Sequence, residues 1–148
     1  MSQKKIGVMS IALVFAFVAM MIVPSIVYAS WNIQSGSGDY TTVQVAVAGN
    51  FRNGKLYSPA AYVKAVIDHD LPDNHSLTLY YRFEWADLNQ VSHIQEGVST
   101  TSYTKAGQWI GIDCTGLPGV VYDIYAEGRA GYDGVWDTPP VSASLPWL

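Results

Sequence analysis

The sequence predicts an all-β protein, a single antiparallel sandwich of about seven strands that follows an N-terminal signal peptide. An uncharged apolar segment lies near the N-terminus, and beyond it apolar residues alternate with polar ones over short segments. Turns rich in Gly, Pro and Asn separate these segments, and none of them has the 3.6-residue period of a helix. A length of 148 residues is typical of one domain.

The N-terminal segment has the composition of a signal peptide. Two lysines precede residues 6–23, which carry no charge, and Pro24 ends any helix there. We expect cleavage between Ala29 and Ser30 because small residues occupy the positions that signal peptidase recognises. The protein is then secreted or held at the cell surface. Two alternatives remain: a retained membrane anchor, for which about 18 apolar residues are long enough, and a prepilin-type leader cut after Gly7.

The chain divides into three parts on composition. Residues 1–29 form the signal peptide, residues 30–39 a flexible linker or N-terminal arm, and residues 40–148 the sandwich domain. The linker is predicted from its Gly- and Ser-rich sequence SWNIQSGSGD. As an extended arm carrying Trp31 and Ile33, it is also a candidate for β-strand addition to a neighbouring copy, which would build a filament.

Alternating segments predict the strands and the faces that they bury. We expect a short edge strand around residues 98–103 and a glycine-rich hairpin loop over residues 128–134. The residues expected to face the core are Val43, Val45 and Val47; Ala61, Val63, Ala65 and Ile67; Leu77, Leu79, Tyr81, Phe83 and Trp85; Ile110, Ile112 and Cys114; Tyr122, Ile124 and Ala126; and Val141, Ala143 and Leu145.

The C-terminal half resembles a fibronectin type III domain. The stretch T-G-L-P-G-V-V-Y-D-I-Y-A-E-G is similar to the turn and penultimate strand of that family, and L-T-L-Y-Y-R-F-E-W is similar to its third strand. The resemblance implies a structural turn at Leu117 and Pro118. It also implies a tyrosine corner at Tyr122, with the ring packed inward. The N-terminal half lacks the tryptophan that the family has on its second strand, so a broader immunoglobulin-like sandwich is the alternative.

Composition and motifs exclude several classes of function. The net charge is −4 and no basic cluster is present, so we predict no nucleic-acid partner, and a membrane partner only if the signal segment is retained. Hydrolase, phosphate-binding and zinc motifs are absent, so we predict no enzyme. The single cysteine, Cys114, is expected to be a small buried residue.

Aromatic residues are the first candidate for a binding surface. Tyr80 and Tyr125 are expected on one outer sheet face, and Tyr132 and Trp136 beside the last hairpin. Exposed aromatics are typical of surfaces that stack on sugars or anchor a protein partner. The alternative is ordinary cross-strand packing. Trp109 is expected to point outward from the other sheet.

An acidic loop is the second candidate. Asp68, Asp70, Asp73 and His75 lie within one short segment, and the predicted topology brings Asp133 and Asp137 near them. The sequence predicts no cofactor, with calcium as the one candidate because its preferred ligands are oxygen atoms such as those of the carboxylates. The histidines of the segment would suit zinc or copper better. The alternative is a solvated acidic turn.

These observations predict an extracellular, non-enzymatic module for protein interaction or structural assembly. Its partner would be another extracellular protein or further copies of the chain. The first alternative is a carbohydrate-binding module that uses the exposed aromatics. The second alternative is a metal-binding extracellular domain.

Overall fold

The computed structural model describes residues 28–72 and 75–146, which form ten β-strands. The strands are β1 Tyr28–Ser37, β2 Thr41–Arg52, β3 Lys55–Ile67, β4 Leu77–Ala86, β5 Ser92–Thr100, β6 Trp109–Asp113, β7 Val120–Val121, β8 Asp123–Tyr132, β9 Val135–Trp136 and β10 Val141–Leu145. A membrane-spanning helix is not found within these two ranges. The signal-peptide prediction concerns mainly residues 1–27, which lie outside them.

The strands form two antiparallel sheets that pack face to face. The first sheet has the order β1-β2-β3-β6, with β7 also paired to β3. The second sheet has the order β10-β8-β4-β5, with β9 also paired to β8. The all-β antiparallel architecture is therefore as predicted, and β1, β7 and β9 are the strands that the prediction of about seven lacked.

The predicted flexible linker at residues 30–39 is wrong, because β1 occupies most of it. This strand pairs with β2 along its whole length. The buried side chain of Asn32 donates a hydrogen bond from Nδ2 to the carbonyl oxygen of Ser144 on β10, at 3.2 Å. A Cβ on Gly36 would lie 2.7 Å from a methyl group of Val141. The small residues of this segment therefore allow close packing between the sheets.

The core lies between the two sheets and is built from the predicted alternating positions. Val43, Val63, Leu79 and Phe83 are fully buried, and the other predicted inward positions of β2, β3 and β4 join the same cluster. Burial of apolar side chains on both inner faces is the main force that holds the sheets together.

The glycine-rich loop predicted at residues 128–134 is wrong, because β8 continues to Tyr132. The chain reverses at Asp133 and Gly134, whose φ angles of 43° and 80° suit a two-residue hairpin turn. β5 also begins earlier than the edge strand predicted at residues 98–103.

The predicted inward packing of Tyr122 is wrong. Val121 ends β7 in the first sheet and Asp123 begins β8 in the second, so the chain changes sheets at Tyr122 and the alternation shifts. Val121 is fully buried, whereas Tyr122 is half-buried and lies outside the core clusters. Leu117 packs against the core and Pro118 is exposed.

Candidate interaction surface

The outer face of the second sheet collects most of the candidate residues. Alternation along each strand turns every second side chain away from the core. We call this surface the second-sheet face; its members are Tyr80, Arg82 and Glu84 on β4, Ile94, Glu96 and Val98 on β5, Tyr125, Glu127 and Arg129 on β8, and Trp136 on β9.

Tyr80 and Tyr125 share this face but do not form one platform. Tyr80 lies opposite Arg129 and Tyr125 lies opposite Glu84, so the two rows are four positions apart along β4. At about 3.3 Å per residue the rings are about 13 Å apart along the strand. They therefore cannot stack on one sugar ring together.

Tyr80 instead pairs with Trp136. Their ring centroids are 6.4 Å apart at an interplanar angle of 74°, an edge-to-face arrangement. The guanidinium of Arg129 lies 5.5 Å from the centre of the Trp136 ring and its Nε donates to the carbonyl oxygen of Thr138 at 2.9 Å. Trp136 is 40% exposed, so this aromatic–cation cluster is presented to solvent.

Tyr132 does not join Trp136. Its ring makes edge contacts with Tyr40 at 5.5 Å and with His75 at 5.1 Å, and it packs against the core. Tyr132 is therefore part of the packing at one end of the sandwich.

Charged side chains fill the middle of the second-sheet face. Arg82 donates to Glu84 and to Glu96, each at 2.9 Å, and lies opposite Glu127 in the next strand. These hydrogen bonds and the two negative charges raise the pKa of Arg82, which stays cationic. The hydroxyl of Tyr125 donates to Glu127 at 2.9 Å. Three carboxylates thus surround one guanidinium, and this part of the face carries a net negative charge.

The edge strand β5 adds aliphatic side chains to the face. Ile94 is 51% exposed and Val98 is 61% exposed, on either side of Glu96. The turn that leads into β5 adds two more exposed residues, Leu88 and Val91. The face therefore continues to the sheet edge, where exposed aliphatic side chains lie on either side of one carboxylate.

A cavity of about 460 Å³ lies at the opposite end of the face from Trp136. It is lined by polar, aromatic and aliphatic residues of the second sheet and by the proline after it: Glu84, Trp85, Ala86, Ser92, Asp123, Ile124, Tyr125, Ser144, Leu145 and Pro146. Burial raises the pKa of the Tyr125 hydroxyl, and its bond to Glu127 acts in the same direction. The cavity is lined by two aromatic residues, Tyr125 and Trp85, and by two carboxylates.

The residues predicted to bind metal have separate partners. Asp68 accepts a hydrogen bond from Thr42, and Asp70 accepts one from the amide of Ala106 at 2.9 Å. The predicted approach of the two loops does occur, because His75 Nδ1 lies 3.2 Å from Asp133. Asp73 lies outside the described residues. Among residues 28–72 and 75–146, no group of three metal-ligating side chains could hold an ion.

Asp137 joins the two sheets through hydrogen bonds to the hairpin between β1 and β2. Its carboxylate accepts from the amides of Asp39 and Tyr40 at 3.0 Å and from both the amide and hydroxyl of Thr41 at 2.7 Å. Burial acts to raise its pKa, but these hydrogen bonds outweigh it and the pKa is lowered. An aspartate after a hairpin carries no sequence signal of such a role.

Trp109 lies on the outer face of the first sheet as expected, but it is 2% exposed. It clusters with Tyr62 and Ala46, and Ile33 of β1 packs against them. The ring of Trp109 and the hydroxyl of Tyr62 both fold over Gly111, where a side chain would collide with them. This face therefore has its own small apolar cluster, and Trp109 is not a free aromatic anchor.

Cys114 is a half-buried free thiol. Burial raises its pKa, and its Sγ lies 3.6 Å from Oε1 of Gln95 on β5. A raised pKa lowers the thiolate fraction at neutral pH and with it the reactivity of the thiol.

Comparison with known proteins adds no assignment: no family model matches the chain, and no curated protein matches it.

Proposed function

We propose that the chain is a secreted or cell-surface module that binds another protein through the second-sheet face and catalyses no reaction. The main support for this proposal is the exposed apolar surface of the second sheet. In the described part of the chain, the exposed large hydrophobic residues outside β1 are Leu88, Val91, Ile94, Val98, Val135 and Trp136. All six lie in the second sheet or in its β4–β5 turn. Exposed apolar patches of this kind mark interaction surfaces in soluble proteins.

The composition of the face favours a protein partner. Tyr, Trp and Arg are the residue types that contribute most to protein–protein binding energy, and Tyr80, Trp136 and Arg129 form one contact cluster. Exposed aliphatic residues at the edge extend this cluster. A surface with an aromatic–cation cluster at one end and exposed aliphatic residues along its edge suits a protein better than a small polar ligand.

The test is binding of the purified, fluorescently labelled chain to the surface of cells from its source. We expect Trp136→Ala and Val98→Lys each to lower binding at least about tenfold, the loss of one strong contact. Trp31→Ala is the matched control, because Trp31 is 42% exposed on the other sheet. Equal loss in Trp31→Ala and Trp136→Ala would contradict the proposal.

The proposal includes secretion after cleavage of a signal peptide and a fibronectin type III-like fold. Cleavage after Ala29 would retain the pairing of β1 from Ser30 to Ser37 with β2. The intact mass of the exported protein tests the cleavage position directly. A fibronectin type III-like classification is supported by the sheet order, because β5 joins β4, β8 and β10 in one sheet. In constant-type immunoglobulin domains the strand that corresponds to β5 joins the other sheet.

Carbohydrate binding is the second candidate, and the cavity beside Tyr125 favours it. Its carboxylates, Glu84 and Asp123, are acceptors for sugar hydroxyls next to an aromatic ring. A glycan array with the wild-type chain and Tyr125→Ala tests this candidate. Binding that is lost in Tyr125→Ala and kept in Trp136→Ala would support it over the protein-binding proposal, and the absence of any bound glycan would remove it.

A further inference from the structure

The open edge of β5 lacks most of the features that usually protect a sheet edge from strand pairing, and Glu96 is the one residue of the strand that carries an acidic or basic charge. Within the part of the chain that the structure describes, no strand pairs with β5 on the side away from β4. The nine-residue strand contains no Lys, Arg or Pro, and its register with β4 runs without a shift from Ser92 to Thr100. Sheet edges are normally blocked by such residues or by bulges. At the other end of the sheet, β10 is short and is flanked by Pro140 and Pro146.

Side chains on the inner side of β5 hold the strand in place. The ring of His93 stacks on Trp85 at 5.4 Å, and Oε1 of Gln95 accepts from the amide of Thr115 at 3.0 Å. The hydroxyl of Tyr81 lies where a side chain on residue 97 would otherwise project. A preformed edge binds an added strand at a lower entropic cost than a mobile one.

The outward residues of β5 define what would pair with them. Ile94 and Val98 flank Glu96 at alternate positions of β5. The outward side chains of an added antiparallel strand would therefore face an aliphatic, then an acidic, then an aliphatic residue. Arg82 is shared between Glu84 and Glu96, and Glu127 adds a further negative charge. A basic residue opposite Glu96 would therefore complement the local charge.

The same charge disfavours a second copy of the chain. Antiparallel pairing of two β5 strands over all nine residues centres on Glu96 and places the two Glu96 side chains directly opposite each other. Like charges in that position destabilise a strand pair. Glu96 thus acts against self-pairing and in favour of a basic partner.

We propose that the β5 edge is a strand-addition site for an extended segment of another protein, in which a Lys or Arg is flanked two positions away on each side by aliphatic residues. The inference rests on the proposed protein-binding function and names the kind of partner segment. Backbone hydrogen bonds supply affinity in this mode, and the alternate side chains supply specificity.

The test measures peptide binding to the full purified chain by fluorescence anisotropy. The probe is a short capped peptide with lysine flanked by valine and isoleucine in the stated pattern and threonine elsewhere. We expect it to bind about fivefold or more tightly than the same peptide with glutamate in place of lysine, because the cross-strand charge pair changes sign. We expect Glu96→Lys to reverse this preference and Glu96→Gln to abolish it.

Backbone pairing is tested with the lysine peptide N-methylated at the amides that face β5. We expect this peptide not to bind, and equal binding would overturn strand addition. A preference for lysine that persists in Glu96→Lys would overturn the assignment to this edge. Self-association of Glu96→Gln without peptide binding would identify a second copy as the occupant and overturn the proposal. If no peptide binds while Val98→Lys still lowers binding to cells, strand addition fails and the protein-binding face remains.

Discussion

Removal of the Asp137 carboxylate should destabilise the sandwich more than its position on a connecting segment suggests. The carboxylate holds Asp39, Tyr40 and Thr41, at the hairpin between β1 and β2, against the segment that leads into β10. Thr41 is fully buried, so Asp137→Ala leaves its amide and hydroxyl without this acceptor. A buried donor without a partner costs about 1–3 kcal/mol. Two such donors give an expected loss of about 3 kcal/mol.

Urea denaturation followed by circular dichroism measures this loss. Asp137→Asn keeps a neutral acceptor oxygen, so it should lose about half as much free energy of unfolding. The pKa of Asp137 is lowered in the folded state, from an unfolded value of about 3.9. Its contribution is therefore complete above about pH 4 and is lost as the pH falls through the folded pKa. A loss below about 1 kcal/mol at neutral pH, or one that does not shrink in acid, would refute the role assigned to this carboxylate.

Three further substitutions test the packing. Phe83→Ala removes a fully buried ring and should cost about 4 kcal/mol in urea titrations, and a loss under about 2 kcal/mol would contradict its central place in the core. Gly111→Ala should cost about 1–3 kcal/mol because its methyl group meets the Tyr62 hydroxyl, and Tyr62→Phe should relieve part of that cost in a double-mutant cycle. Trp136→Ala should change the melting temperature little, since the residue is 40% exposed and lies outside the core clusters, and a large drop would make it a structural residue.

The strands that bury a regular alternating face could be predicted from the sequence. Val43, Val45 and Val47 lie in the core as expected, as do Leu77, Leu79 and Phe83. The alternation of apolar and polar residues is visible within the sequence of each strand, so the buried face can be predicted without knowing the partner strand. The register also places Tyr80 and Tyr125 on one outer face, as the alternation of β4 and β8 predicts.

Elements that depend on contacts distant in sequence could not be predicted in the same way. Gly36 resembles linker sequence, yet it allows β1 to pack against Val141. Gly128 and Gly131 resemble a loop, but Gly128 leaves room for Val63 inside the core, and a Cβ on Gly131 would come within 3.0 Å of the Trp136 Cα in β9. The contact between Tyr80 and Trp136 requires β9 to pair with the C-terminal end of β8, so a strand that stops before Gly128 does not predict this contact.

The proposed protein-binding role of the second-sheet face is tested most directly by a photo-crosslinking amino acid placed on each face in turn. Position 98 lies at the exposed edge of the second sheet, and Ser35 is exposed on β1 of the first sheet and serves as the matched control. The chain carrying each probe is exported by cells of its source, irradiated and separated by mass. We predict a protein adduct from position 98 and none from position 35. No adduct at position 98, or equal adducts at both positions, would contradict the assignment of this face as the interaction surface.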